Sequence, residues 1–368
     1  MKVLHLIDSG GLYGAEYMLL SLMKEQMDAG MDVCLLSGGL PEEPQKPIEK
    51  EASLLNVNLI IWRAPAGFNF TKLKSLSQWI DSNDIDIVHS HGYKFNIMCA
   101  FGLKPTKMSK YNTVSTIHGY VHAPFFSKMA MYQFLDKIAL CLFDHVVLVN
   151  NNLQQKPPFK WISRKTTYIP NGIPKVESKV KTISSQNRFL AIGRLSTEKQ
   201  FGILINTMNL VPNASLTIMG DGPLKPDLEK LISQQKLQEK VILKGFIHNP
   251  IQYFSDYDCL IISSSTEGLP IVLLEAMREG LPIISTPVGA IPNVLGLDYQ
   301  LLCKTEMEKD ILANIAHFIA MTTEAKQELS LRLQGQFDLS YTSGIMHQGY
   351  EKLYQHLINS RKPIDKVK

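Results

Sequence analysis

Two glutamates, Glu267 and Glu275, stand eight positions apart within Ser263–Val294, and Gly268-Leu269-Pro270-Ile271 directly follows the first. Pro270 suits the first turn of a helix, where its missing N–H is an orphan anyway. From there Val272, Leu273, Ala276 and Met277 recur at helical spacing, and Gly280 and Pro282 end the run. Glu267 is thereby expected in the loop at a helix N-terminus, beside free backbone N–H groups that favour an anion. Glu275 falls about two turns further in, at about 1.5 Å of rise per residue. A ligand with an anionic middle and hydroxyls at both ends, such as a nucleotide sugar, fits that spacing. The spacing alone also fits two solvated glutamates on an exposed helix.

Cations come earlier. Arg194 and Lys199 flank the turn after the apolar run FLAIG, with Gly193 at its end. Two such charges suit a diphosphate leaving group, although an exposed basic turn has the same composition. Three histidines, His89, His91 and His118, follow apolar strands, where open α/β sheets bind their ligands. His89 and His91 read equally as acceptor-side residues or as packing.

The elements that must position these groups alternate. Strand-like runs at the N-terminus, Val33–Leu36, Leu59–Trp62, Ile85–His89, Thr113–Ile117 and His145–Val149 are separated by helical stretches, which predicts a parallel, doubly wound sheet. The first strand runs into Ser9-Gly10-Gly11-Leu12-Tyr13-Gly14 and a helix from Ala15 to Ala29. This turn could let backbone approach a phosphate, yet it lacks the spacing of the dinucleotide fingerprint. Asp84-Ile-Asp86 and Asp256-Tyr-Asp258 each run straight into an apolar strand, so they read as helix-to-strand turns and no metal is expected.

Glu267, seven residues, Glu275-Ala276-Met277 and then Pro282-Ile283-Ile284 closely resemble the donor-site signature of the retaining glycosyltransferases of family 4. The likeness covers nearly the whole chain. Gly14-Ala15-Glu16 matches the family's first loop, with Tyr13 in place of a glycine. Gly193-Arg194-Leu195 and Lys199 match its second domain, with Gln200 in place of another. Met219–Pro223 and Leu243–Phe246 fall on further landmarks, whereas past Gly289 the match weakens and Leu297–Lys304 replaces a glycine-rich strand.

The resemblance implies a GT-B fold: two Rossmann-like, doubly wound parallel-sheet α/β domains facing across a cleft. Residues 1–174 would form the acceptor-side domain, 175–187 a linker and 188–342 the donor domain, with a helix at about 343–360 packing back on the first. It gives catalytic roles to Arg194, Lys199, Glu267 and His118. Donor binding would fall to Gly14, Gly193, Gly220, Phe246, Gly268, Leu269, Pro270, Ile271 and Glu275. Tyr13, His91 and Tyr93 would stand on the acceptor side. The implied activity is metal-independent transfer of a hexose or N-acetylhexosamine from a UDP- or GDP-sugar to a glycan or lipid-linked acceptor in cell-surface polysaccharide synthesis. The nucleotide sugar is a substrate, and no cofactor is implied. A GT-B epimerase, or a binding protein without transferase activity, is the alternative.

Composition bounds the rest. The 368 residues, 45% hydrophobic, suffice for two cores. A net charge of +4 argues against a nucleic-acid binder. The excess lies in residues 1–175, which hold 18 Lys and Arg against 14 Asp and Glu, while 176–368 hold 20 of each. Five scattered cysteines, each among apolar neighbours, read as buried thiols in a cytoplasmic protein. The first apolar run ends at Asp8, so it reads as a strand and not a signal peptide, and no run reaches the ~20 residues of a membrane span. From Ile87 to Leu135 there is no acid, and Lys104, Lys107 and Lys110 with Phe125–Phe134 suggest a face that meets anionic lipid on the inner side of the cell membrane.

Overall fold

The computed structural model describes residues 1–65, 70–103, 111–119, 127–176 and 186–361. Lys104, Lys107, Lys110, Phe125, Phe126 and most of the expected linker lie outside the described residues. The chain divides into two compact units. Unit 1 takes Met1–Pro174 and returns at Ser343, and unit 2 takes Lys175–Thr342.

Unit 1 is built on seven strands: β1 Lys2–Ile7, β2 Asp32–Gly39, β3 Asn58–Arg63, β4 Ile87–Ser90, β5 Asn112–Ile117, β6 His145–Leu148 and β7 Thr166–Tyr168. They are parallel throughout, in the order β3-β2-β1-β4-β5-β6-β7. Parallel strands covered on both faces read as continuous apolar runs, and β1, β4 and β5 are buried almost end to end. The register sets His5 of β1 beside His89 of β4. Helices α1 Gly14–Asp28, α2 Pro47–Leu54, α3 Phe70–Ser82, α4 Tyr93–Met98 and α5 Lys128–Leu142 connect them.

Unit 2 repeats the plan with β8 Arg188–Ile192, β9 Ser215–Met219, β10 Val241–Gly245, β11 Cys259–Ile262 and β12 Ile283–Ser285, in the order β10-β9-β8-β11-β12. Its helices are α6 Phe201–Leu210, α7 Lys225–Gln234, α8 Ile271–Arg278, α9 Ile291–Leu295, α10 Glu308–Ala320 and α11 Thr323–Ser340. Leu297–Lys304 adds a single parallel bridge, Leu302 to Ser285.

The last described helix, α12 Ser343–Arg361, belongs to unit 1. Ser343 N donates to Ile173 O at 2.8 Å, and Ser343 Oγ to Glu25 on α1 at 2.5 Å. Tyr350 and Tyr354 lie buried against the sheet.

The two Asp-x-Asp sequences sit at strand starts. Asp86 accepts from Lys2 N and Asp258 from Arg188 N, each at 2.8 Å, so each carboxylate ties its own strand to the first strand of its sheet. Four of the five cysteines are buried, but Cys141 is exposed on the outer side of α5, so the expectation of five buried thiols fails there. Among the described residues, no helix is long and apolar enough to cross a membrane.

Candidate active site

In unit 2 the chemistry gathers where the strands end. Gly193 N donates to Met219 O and Gly220 N to Gly245 O, which extends the ladder past β8 and β9. The turns there are so tightly nested that a Cβ on Gly220 would stand 1.9 Å from Gly193 O, and one on Gly222 2.5 Å from Leu195 O. Glycine at 220 is thus demanded by packing before any ligand arrives. Arg194 projects into solvent, with no carboxylate partner among the described residues.

Lys199, expected at the head of the following helix, lies just ahead of it. It closes a short 3-10 turn, Thr197–Lys199, ahead of α6. Its Nζ lies 2.6 Å from Glu267 Oε1, which also accepts from Ser264 Oγ at 2.6 Å. Ser263 Oγ donates to Lys199 O at 2.7 Å and Ser265 N to Glu198 O at 2.8 Å, so the loop after β11 is stitched to the loop after β8. The sequence pattern did not single out these serines, which hold the Lys199–Glu267 pair in place; their signal was position, directly between β11 and Glu267. Gln200, the departure from glycine, holds a left-handed backbone with φ 52° and ψ 34°.

Glu267 is backed by Gly289, at φ +59°, where a Cβ would lie 2.2 Å from Glu267 O. Ala290 N donates to Gly268 O at 2.9 Å, and Leu269 is buried beneath the loop. Pro270 precedes α8 with an extended backbone instead of starting it, because the helix opens at Ile271. Glu275 lies on α8, half-buried, with no hydrogen bond to its carboxylate among the described residues. Burial pushes its pKa up to about 7, against the pull of Arg278 and with a smaller push from Glu279. Phe246, just past β10, is 69% exposed, an unsupported aromatic face.

In unit 1, Tyr13 caps α1, and its backbone N–H donates to Glu16 Oε2 at 2.9 Å. Gly14 opens the helix. A pocket of about 470 Å³ lies beyond β1 and β4, with His91, Tyr93, Lys94, Asp8, Lys46 and Glu43 among its walls. Tyr13 is not part of it. Asp8 accepts from Lys46 at 2.8 Å and Lys94 at 2.6 Å, and Lys46 also meets Glu43 at 3.0 Å. Burial raises the Asp8 pKa, but the hydrogen bonds and charges of Lys46 and Lys94 outweigh it and hold the carboxyl below its ordinary value.

Histidines His5, His89, His91 and His118 form one group, the first three buried and His118 partly exposed. His89 is turned inward, bonded to Tyr354 at 2.6 Å and Thr116 at 2.8 Å. His5 meets Gln26 at 2.9 Å and His91 at 3.0 Å, and His91 meets His118 at 3.4 Å. Burial lowers all four pKa values, those of His5 and His118 to about 4. His5, His89 and His91 are close enough to share a metal ion, but His5 and His89 already spend both ring nitrogens on neighbours.

Two family models match end to end, "Glycosyltransferase Family 4" over residues 13–175 and "Glycosyl transferases group 1" over 174–332. The chain is 37% identical over 150 residues to an uncharacterized glycosyltransferase, MJ1059, of Methanocaldococcus jannaschii, a match covering 37% of each chain. It is 25% identical over 292 residues to the O-antigen biosynthesis glycosyltransferase WclY of Escherichia coli, covering 74% of this chain and 79% of that one. The crystal structure of Anabaena HepE in complex with UDP superposes with a TM-score of 0.81 at 16% identity, over 97% of this chain and 100% of that one. Two parallel-sheet units of this kind, with these loops at their strand ends, define a GT-B glycosyltransferase. The chain belongs to glycosyltransferase family 4.

Proposed function

We propose that the protein is a retaining glycosyltransferase that moves a hexose or N-acetylhexosamine from a UDP- or GDP-sugar to a glycan or lipid-linked acceptor, without a metal ion, in the building of cell-surface polysaccharide. The observation that carries this reading is the Lys199–Glu267 pair, held on loops of the adjacent strands β8 and β11 with the exposed Arg194 guanidinium on the first of them. As the bond from the sugar's anomeric carbon to the diphosphate breaks, charge grows on the departing oxygens. Arg194, Lys199 and the first-turn amides of α8 would stabilise it, a contribution of about 3–4 kcal/mol for each preorganised donor.

Glu267 would accept from a sugar hydroxyl and Glu275 from the ribose. Because Glu267 is already engaged by Lys199 and Ser264, it is a poor nucleophile for a double displacement. A front-face route, in which the leaving phosphate takes the acceptor's proton, follows. UDP bound to HepE and the O-antigen role of WclY support the donor and pathway class. The unit 1 pocket is the acceptor side of this reading. Its charges are paired within its own walls, which favours a hydroxyl-rich, uncharged group over an ion.

A panel of UDP- and GDP-sugars, tested with EDTA present, should show slow release of free nucleotide from one donor. Arg194→Ala and Lys199→Ala should each lower kcat/KM by at least about a hundredfold without unfolding the protein. Near-normal turnover in both variants, or activity lost to chelator and restored by Mg²⁺ or Mn²⁺, overturns the respective part of the reading.

A further inference from the structure

Between β6 and β7 the chain crosses over without an α-helix, and this crossover turns its one tryptophan to solvent. Residues 151–165 are ordered by their own turns. Lys160 N donates to Lys156 O at 3.1 Å, Trp161 N to Pro158 O at 2.9 Å and Lys165 N to Ile162 O at 2.8 Å. Phe159 is buried in the core of unit 1, and Leu153 and Ile162 pack against the same cluster. These side chains fix the segment to the sheet, yet Trp161 stands 75% exposed. One exposed ring alone carries no argument. Its neighbours do. From His145 to Val176 the sequence holds five Lys and Arg and no Asp or Glu. Lys156, Lys160 and Arg164 are exposed, and none pairs with a carboxylate among the described residues. Asn151 and Gln155 add exposed amides at the two ends of the first turn.

We propose that residues 151–165 form a binding surface for an anionic glycan, a chain of sugars that carries carboxylates or phosphates. The cations match those anions. The amides donate and accept, as sugar hydroxyls do. The Trp161 ring offers a flat apolar body to the C–H face of a sugar ring. A lipid surface would suit the cations equally, but amides are costly to press among acyl chains, and no other bulky apolar side chain of residues 151–165 is exposed. The surface is separate from the unit 1 pocket. That pocket lies beyond β1 and β4, and β6 is two strand spacings from β4, roughly 10 Å. On the glycosyltransferase reading, the surface retains a glycan chain beside the enzyme and raises its local concentration, as a second binding module does. The binding itself does not depend on that reading.

Of the three tryptophans, Trp62 and Trp79 pack against the core of unit 1, so acrylamide quenching of the full chain's fluorescence reports Trp161 first. Alginate, which carries carboxylates, or phosphomannan, which carries phosphates, should shield that ring and retard the protein in affinity electrophoresis. Dextran offers the sugar without the charge and polyglutamate the charge without the sugar; each should bind at least about tenfold more weakly. Trp161→Ala should weaken binding of the preferred glycan about tenfold. Lys160→Gln combined with Arg164→Gln should weaken it too and flatten its salt dependence. Both variants should release nucleotide from the soluble donor as the parent does. Polyglutamate binding as tightly as the glycans, binding of neither glycan, or glycan binding unchanged in Trp161→Ala would overturn the proposal. So would anionic vesicles that shield Trp161 where the glycans do not. Failure of the parent to bind any nucleotide sugar would sink the glycosyltransferase reading and leave the glycan result standing.

Discussion

Glu275 shows how one side chain's surroundings become a pH dependence. Its carboxyl is driven up to about 7 chiefly by burial. A ribose diol donates to the ionised form, so binding draws the proton off. Nucleotide affinity should therefore fall as pH drops through 7, by about tenfold at pH 6 relative to pH 8, since roughly one site in ten is then ionised. Glu275→Gln should bind weakly and without that slope, as isothermal titration at three pH values would show. Stability runs the opposite way in sign. The folded state resists ionisation, so the contribution is full below the ordinary carboxyl pKa and is lost as pH rises through about 7. At the neighbouring scale of backbone, Gln200 holds a left-handed conformation, and its Oε1 is buried without a partner among the described residues. Gln200→Gly should stabilise the protein by about 1 kcal/mol, read as a higher urea midpoint at unchanged slope. A lower midpoint would mean that the side chain supports the Lys199 turn in some other way.

At the scale of elements, α5 presents Met131, Phe134, Ile138 and Leu142 to solvent on one side, with Lys128 and Lys137 exposed beside them. Its one acid, Asp136, is buried and accepts from Asn96 at 2.7 Å. Lys128, Met131 and Phe134 belong to the face expected to meet anionic lipid, and Lys137, Ile138 and Leu142 would continue it; on such a face each cation adds roughly 1 kcal/mol and apolar side chains insert. Replacing Met131, Phe134 and Ile138 together by Ser should abolish sedimentation with anionic vesicles and spare nucleotide release from the soluble donor. Vesicle binding equal to the parent's would refute it. The strand–helix alternation was legible because buried parallel strands write themselves as apolar runs, and Glu267 and Glu275 because they share one loop and one helix. Helix α11 was not, since Leu329, Leu333 and Phe337 are its few large buried apolar residues, and the exposed Leu331 and Leu339 blur their spacing. Nor was the line from Gln26 to His118. His5 and His91 are separated by 86 residues and meet only through the register of β1 and β4.

For the whole molecule, the decisive feature is that α12 completes unit 1 from the far side of unit 2 in sequence. Tyr350 and Tyr354 are fully buried there, and their hydroxyls close bonds with Thr116 and His89. Ending the chain after Thr342 should strip that cover and leave two strands' polar groups unpaired. Unit 1 should then melt well below the parent while unit 2, which lacks nothing, keeps its own transition in calorimetry. A single unchanged transition would show that α12 is an ornament on unit 1.

The same return of the chain has a consequence on the ribosome. Unit 2 is continuous and can assemble as soon as Thr342 has emerged, whereas the earlier-made half waits with His89, Thr116 and a strip of sheet uncovered until residues 343–361 appear. The half that is translated first is therefore finished last, and during that interval it is the natural client of a chaperone.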